Sequence, residues 1–235
     1  MTAPPAPNPC SASERWDRFP PPHRGGWCAS LRDDPITGLI AWPQFEHALP
    51  HLLRDAAQAG RTVGLAIGDC DEFKAFVERE RAVDPRTWGH QVGNKVMADL
   101  GRLARCWLDR LDERIPAAAL ATFGGDEILV VADTTDGPPF RVLIAELRDL
   151  FRTFLPVTVS FAYATLDQAA LPTSTIGETW PTEWTSHVIG GIDRTLFSAK
   201  RARRDHRADI PLGFLIRADG TSAEAGDTGG TRASK

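Results

Sequence analysis

Two clusters of acidic residues adjoin apolar runs, and their composition suits a metal site. The first, Asp69-Cys70-Asp71-Glu72, follows residues 62–68, whose apolar character predicts a buried strand. The second, Gly124-Gly125-Asp126-Glu127, lies between two further apolar runs, as in a β-hairpin whose turn carries functional groups. Carboxylate oxygens are preferred ligands of divalent cations, and glycine lets a ligand approach the backbone closely.

The two clusters can meet if their strands are neighbours. Alternation along an extended chain puts Asp69 and Asp71 on one side and Cys70 on the other. Carboxylates that converge with Asp126 and Glu127 would repel one another unless a cation lay between them. This predicts a site for Mg²⁺ or Mn²⁺, with an ordinary solvated hairpin turn as the alternative.

The remaining chain alternates helical and extended patterns. Apolar residues at helical spacing predict helices over residues 45–58, 89–107, 140–154 and 189–200. Apolar or β-branched runs predict strands over residues 62–68, 117–123, 128–132, 157–164 and 210–216. These elements predict an α/β (α+β palm-like) fold with a central, largely antiparallel five-stranded sheet flanked by helices.

Composition predicts one globular domain with two tails. Residues 1–30 are rich in Pro, Ala, Ser and Arg and predict a flexible leader, whereas residues 218–235 predict a disordered tail. The domain itself is expected over residues 31–217. Within it, apolar residues over 165–187 show neither helical nor strand spacing, which predicts a long loop whose function is not assigned.

Charge and hydropathy exclude several classes of function. The net charge of −4 argues against a broad nucleic-acid-binding surface, although a local basic pocket remains compatible with it. No apolar run is long enough to span a bilayer and the first residues lack a signal-peptide layout, so we expect a cytoplasmic protein. The four cysteines lack zinc-ligand spacing and are expected to be reduced thiols.

The order of the motifs resembles the GGDEF domains of diguanylate cyclases. The resemblance spans roughly residues 33–217 and is carried by residues 34–39, 69–74, 89–94, 124–128, 157–160 and 193–200. It implies a nucleotidyl cyclase that condenses two nucleoside triphosphates, GTP by default, into a cyclic dinucleotide and releases pyrophosphate. It further implies Mg²⁺ or Mn²⁺ as cofactor and a homodimer during catalysis, since each domain holds one nucleotide.

The resemblance also assigns roles to individual residues. Metal ligands would be Asp69, Asp126 and the carbonyl of Cys70, while Asp126 and Glu127 would be catalytic. Nucleotide binding would fall to Phe73, Lys74, Val77, Asn94, Gly124, Gly125, Lys200 and Arg204.

Several positions depart from the family pattern. Val77 and Asn94 stand where the family has the Asn and Asp that read guanine, and an amide, with one acceptor and one donor, could suit adenine instead. Thr122 replaces an arginine, and residues 79–88 contain an insertion of open role. Altered purine choice therefore stays open, as do two alternatives: a catalytically weak nucleotide- or protein-binding module, and a defence-related oligonucleotide cyclase that uses ATP.

Overall fold

The computed structural model describes residues 32–83, 89–111, 114–115, 117–167 and 180–218 of the chain. The predicted leader, residues 84–88 of the insertion, residues 168–179 of the predicted loop and all but the first residue of the predicted tail lie outside these ranges. The described residues form six strands: β1 (Ile40–Ala41), β2 (Val63–Cys70), β3 (Ala118–Thr122), β4 (Glu127–Asp133), β5 (Val159–Leu166) and β6 (Leu215–Arg217). Five helices accompany them in the described ranges: α1 (Trp42–Gln58), α2 (Phe73–Val83), α3 (Gly89–Arg110), α4 (Phe140–Phe154) and α5 (Trp180–Arg204).

The strands form one sheet in the order β1-β3-β4-β2-β5-β6. Strand β2 lies between β4 and β5 and is antiparallel to both, while β3 is antiparallel to β4. The two edge pairs, β1 with β3 and β5 with β6, are parallel. The largely antiparallel sheet is therefore confirmed, with six strands where the sequence predicts five. The additional strand, β1, has only two residues and is too short to leave a periodic pattern.

Alternation along the central strands sorts their apolar side chains between two buried layers. On one face, Leu65 and Ile67 join the core formed with α1 and α5. On the other face, Ala66 of β2 and Val130 of β4 join the core formed with α3 and α4. Both faces of β2 are covered, which explains why the strand is a continuous apolar run. Its polar end at Asp69 lies at the edge of the two buried layers.

Two predicted boundaries differ from the structure. Helix α5 begins at Trp180, so its first turns occupy residues that predict a loop because their apolar positions are irregular. The last strand is shorter than predicted and covers only Leu215–Arg217. Among the described helices, none has the length and apolar character needed to cross a membrane.

Candidate active site

Pairing of β2 with β4 brings the two acidic clusters together. Asp69 lies directly opposite Glu127 in the antiparallel register. The backbone N–H of Cys70 donates a hydrogen bond to the carbonyl of Asp126 at 3.2 Å, which ties the hairpin to the end of β2. Asp69 and Asp126 consequently line the same groove, which has a volume of about 700 Å³.

The turn of the β3–β4 hairpin depends on glycine and on Thr122. Gly124 and Gly125 have φ angles of 105° and 86°, a region that residues with side chains rarely adopt. The Thr122 hydroxyl donates to the Glu127 carbonyl at 2.8 Å and accepts from the Gly124 N–H at 3.1 Å. The threonine that replaces an arginine of the family pattern thus closes the turn itself.

Asp71 is a buried anchor for the neighbouring elements. Its carboxylate accepts hydrogen bonds from the Thr158 hydroxyl at 2.7 Å and from the Ser160 hydroxyl at 2.8 Å. The backbone N–H of Gly213 also donates to it, at 2.7 Å. These bonds join the end of β2 to β5 and to the segment before β6, so the second aspartate of the cluster serves to hold the groove in shape.

The Lys200 ammonium lies among the oxygens at the end of β2. It donates to the Asp69 carboxylate, to the Asp69 carbonyl at 2.8 Å and to the Cys70 carbonyl at 3.1 Å. The Asp71 carboxylate lies a further 3.1 Å from the same nitrogen. The ammonium lies among oxygens that could also surround a metal ion, since carboxylate and carbonyl oxygens are the hard donors that Mg²⁺ and Mn²⁺ prefer.

The donor set fits a divalent ion that is completed by its substrate. In the described residues, no three His, Cys, Asp or Glu side chains are grouped in a way that could hold a metal. Mg²⁺ in nucleotide enzymes commonly takes one or two carboxylates, with waters and substrate phosphates as its other ligands. Two carboxylates from Asp69 and Asp126, together with the Cys70 carbonyl, meet that requirement.

Negative charge is concentrated around the end of β2, on Asp69 and Asp126 in the groove and on Glu127, which lines a separate cavity of about 370 Å³ beside α5. Burial raises the pKa of Asp69; the nearby Lys200 opposes this shift, and Asp126 and Asp71 add to it. Burial also raises the pKa of Glu127, and the charges of Asp69, Asp126 and Asp193 raise it further. Mutual repulsion of this kind favours a bound cation.

Positively charged side chains line the same groove. Lys74 and Arg204 both lie here, beside Phe73 at the start of α2. The Lys74 side chain is 92% exposed and its only ion pair in the described part of the chain is a 3.9 Å contact with Glu78, so it is available to a phosphate. The structure therefore brings together the predicted metal and phosphate residues.

Arg203 lies at the site but is not among the residues predicted from the sequence to bind a nucleotide or a metal. Its guanidinium lies in the groove and makes a 3.3 Å ion pair with Glu72. It comes three residues after Lys200 on α5, so helical spacing would have placed it on the same face. Arg203 occupies the position at which the family pattern has a glycine.

A second cavity, of about 720 Å³, lies between α2 and α3. Val77 and Asn94, the two positions to which the resemblance assigns base recognition, both line it. Phe73, Lys74 and Glu78 line this cavity and the groove alike, so the two are adjacent. Glu78, which the sequence gave no reason to select, is the one carboxylate among the described residues that line this cavity.

Comparisons with solved structures show the fold. Diguanylate cyclase SiaD from Pseudomonas aeruginosa, solved with its activator SiaC, is 23% identical at a TM-score of 0.57, with 79% of this chain and 61% of that chain covered. The GGDEF domain of DgcB from Caulobacter crescentus, solved with c-di-GMP, is 21% identical at a TM-score of 0.54, covering 80% and 93% of the two chains. The chain thus spans about three fifths of SiaD and nearly the whole DgcB domain. No curated protein matches this chain.

A family profile described as "Diguanylate cyclase, GGDEF domain" matches residues 32–206. The matched range contains both acidic clusters, the Lys200 contact and the cavity between α2 and α3. The chain belongs to the GGDEF domain family.

Proposed function

We propose that this protein is a nucleotidyl cyclase that joins two purine nucleoside triphosphates into a cyclic dinucleotide and releases pyrophosphate. The observation that carries the proposal is the Lys200 contact. The Asp69 and Asp71 carboxylates and two main-chain carbonyls surround the Lys200 ammonium at the end of β2, in the groove that Asp126, Lys74 and Arg204 also line. A groove lined by both acidic and basic side chains suits a metal-bound triphosphate.

The metal would be held by Asp69, Asp126 and the Cys70 carbonyl. When bound, Mg²⁺ or Mn²⁺ would polarise the α-phosphate and neutralise charge on the departing pyrophosphate. Lys200, Lys74 and Arg204 would bind the phosphate oxygens, and backbone amides at the start of α2 and at Gly124-Gly125 would add uncharged donors.

Glu127 is proposed as the proton acceptor for the attacking 3′-hydroxyl. Glu127 follows directly after Asp126 in the chain. Its pKa is raised toward neutral pH, which makes the carboxylate a better proton acceptor. A single domain holds one nucleotide, so the attacking hydroxyl comes from the nucleotide of a second copy. Catalysis would accordingly require a homodimer.

The choice of purine is proposed to be relaxed, with GTP as the default and ATP as a competitor. Guanine presents two neighbouring donors, which a carboxylate accepts, whereas Asn94 presents one donor and one acceptor. Both Val77 and Asn94 line the cavity between α2 and α3, and Glu78 lies within reach of the same space. Use of ATP as a substrate would make the activity resemble that of oligonucleotide cyclases, the alternative named in the sequence analysis.

Incubation with labelled GTP or ATP and either Mg²⁺ or Mn²⁺, followed by mass spectrometry of the products, tests the proposal. We expect a cyclic dinucleotide with wild type and its loss in Asp69→Asn and Asp126→Asn. The matched control is Asp99→Asn, which changes an exposed aspartate on α3 outside both cavities.

Two results would overturn parts of the proposal. Nucleotide binding without turnover at any metal concentration would leave only a nucleotide-binding signalling module. Turnover of GTP alone, with ATP neither consumed nor inhibitory, would refute relaxed purine choice while leaving the cyclase intact.

A further inference from the structure

Helix α5 carries a large aromatic side chain on its solvent side. Phe197 is 59% exposed, although its neighbours Leu196 and Ala199 are buried against the sheet. A single exposed ring is ordinary on a protein surface, but burying this one against a partner would be favourable, so the charges around it decide whether a partner fits.

The charges beside Phe197 have a symmetric arrangement. Asp193 lies four residues before it and Arg201 four residues after it, so all three share one face of the helix. All three side chains are exposed; Arg201 makes only a loose 3.6 Å contact with Asp205. Asp193 makes no ion pair within the described part of the chain. We call these three residues the α5 stripe.

This arrangement is self-complementary under a two-fold rotation. If two copies of α5 pack antiparallel with both Phe197 rings at the axis, Asp193 of each copy meets Arg201 of the other. Such an isologous contact buries both rings and satisfies two pairs of charges with a single patch. Two like-charged ends would have repelled in the same geometry.

The stripe also lies beside the candidate active site. Asp193 and Glu127 line one cavity of about 370 Å³ on the hairpin side of α5. Lys200, three residues beyond Phe197, reaches the Asp69 carboxylate. A two-fold axis at Phe197 would therefore bring two active sites close to the same axis, as condensation of two nucleotides requires.

We propose that the α5 stripe is the surface through which a second copy of this chain docks for catalysis, with Phe197 at the two-fold axis. The inference rests on the proposed function, because it specifies the dimer that function needs. The occupant is a second copy because the charges of the patch match those of its own rotated image.

Thiol cross-linking tests the position of the axis. In Phe197→Cys, the two introduced thiols should lie close together, and a short thiol-specific cross-linker should give a covalent dimer. The matched control is Phe154→Cys on α4, where the native side chain is 64% exposed. Equal cross-linking of the two variants, or none beyond wild type, would overturn the proposal.

Charge reversal tests the pairing itself, with sedimentation velocity as the readout. Asp193→Arg and Arg201→Asp should each weaken self-association at least about tenfold, since each puts like charges opposite one another. An equimolar mixture of the two variants should associate again, because in the mixed dimer both contacts have opposite charges. Failure of the mixture to exceed either variant alone would contradict the inference.

Product analysis separates this inference from the proposed function. Wild type and Phe197→Ala are compared at one protein concentration, with sedimentation and product measured on the same samples. Association through the stripe without any product would refute only the cyclase activity. Product formation with unchanged association in Phe197→Ala would refute only the docking surface.

Discussion

At the scale of single residues, Lys200 and a divalent cation require the same oxygens. The ammonium is held by Asp69 and by the carbonyls of residues 69 and 70, where the metal is proposed to bind. Both cannot occupy these oxygens fully, so metal binding must displace the ammonium toward the phosphates. The lysine would then move from one anionic partner to another as the substrate enters.

Replacing Lys200 with methionine should separate these two roles. Removing a positive charge at this distance should strengthen binding of Mn²⁺ alone by about tenfold, or about 1.4 kcal/mol, because the ammonium and the metal ion repel each other. Mn²⁺ titrations followed by electron paramagnetic resonance measure this affinity. The KM for nucleotide should rise in the same variant, because a phosphate-binding charge is lost. Unchanged Mn²⁺ affinity would show that the ammonium does not compete with the metal.

Asp71→Asn should destabilise the fold without altering a metal ligand. The amide would turn a donor toward groups that already donate to Asp71, namely Thr158, Ser160 and Gly213. We expect a loss of about 3 kcal/mol in the free energy of unfolding, measured by urea denaturation. The same change at the exposed Asp99 should cost less than about 0.5 kcal/mol.

Asn94→Asp should shift purine preference toward guanine. A carboxylate at the cavity between α2 and α3 can accept both donors of guanine, and an unpaired partner there costs about 1–3 kcal/mol. The ratio of kcat/KM for GTP over ATP should rise by about tenfold or more. Gln91→Glu adds the same charge one helical turn earlier, outside the described lining of that cavity, and should leave the ratio unchanged.

At the scale of elements, close approach of α4 to the sheet depends on a missing side chain. A Cβ added at Gly64 of β2 would lie 2.1 Å from the ring of Phe140, the first residue of α4. The ring thus sits directly on the strand backbone. A packed core cannot yield that much space, so the helix would have to shift.

Gly64→Ala should therefore lower the free energy of unfolding by about 1–3 kcal/mol, the usual cost of overpacking a core. Gly191→Ala on α5 should instead raise it by up to about 1 kcal/mol, because a Cβ there meets nothing within 4 Å and alanine favours helix. Thermal denaturation of the two variants measures both effects. Equal shifts of the same sign would contradict the packing argument.

At the scale of the whole molecule, the sequence predicts those parts of the fold that rest on local pattern. The apolar runs of β2 and β4 predict strands, and alternation places Asp69 toward the second acidic cluster. The contact of Lys200 with Asp69 joins residues far apart in the chain and follows only from the packing of α5 on the sheet. The spacing of residues along the chain does not indicate this contact. The buried position of Asp71 likewise depends on how distant segments pack together.

The dimeric mechanism predicts how activity depends on dilution. Below the dissociation constant of the dimer, product formed per protomer should rise in proportion to total protein, and it should level off above that concentration. Initial rates across a dilution series at saturating nucleotide measure this. A rate per protomer that is constant at every concentration would indicate that one copy suffices or that the dimer never dissociates.

Cys70 has its carbonyl in the groove and its sulfur in the core between the sheet and α3 and α4. Burial raises the pKa of the thiol, so the sulfur keeps its proton at physiological pH. The sulfur is separated by three covalent bonds from the carbonyl carbon of the proposed metal ligand, so in a variant that keeps Cys70 as its only cysteine the S–H stretch becomes an infrared reporter next to the site. We expect metal binding at the carbonyl to shift this band, and an unchanged band on addition of Mg²⁺ would argue against the Cys70 carbonyl as a ligand.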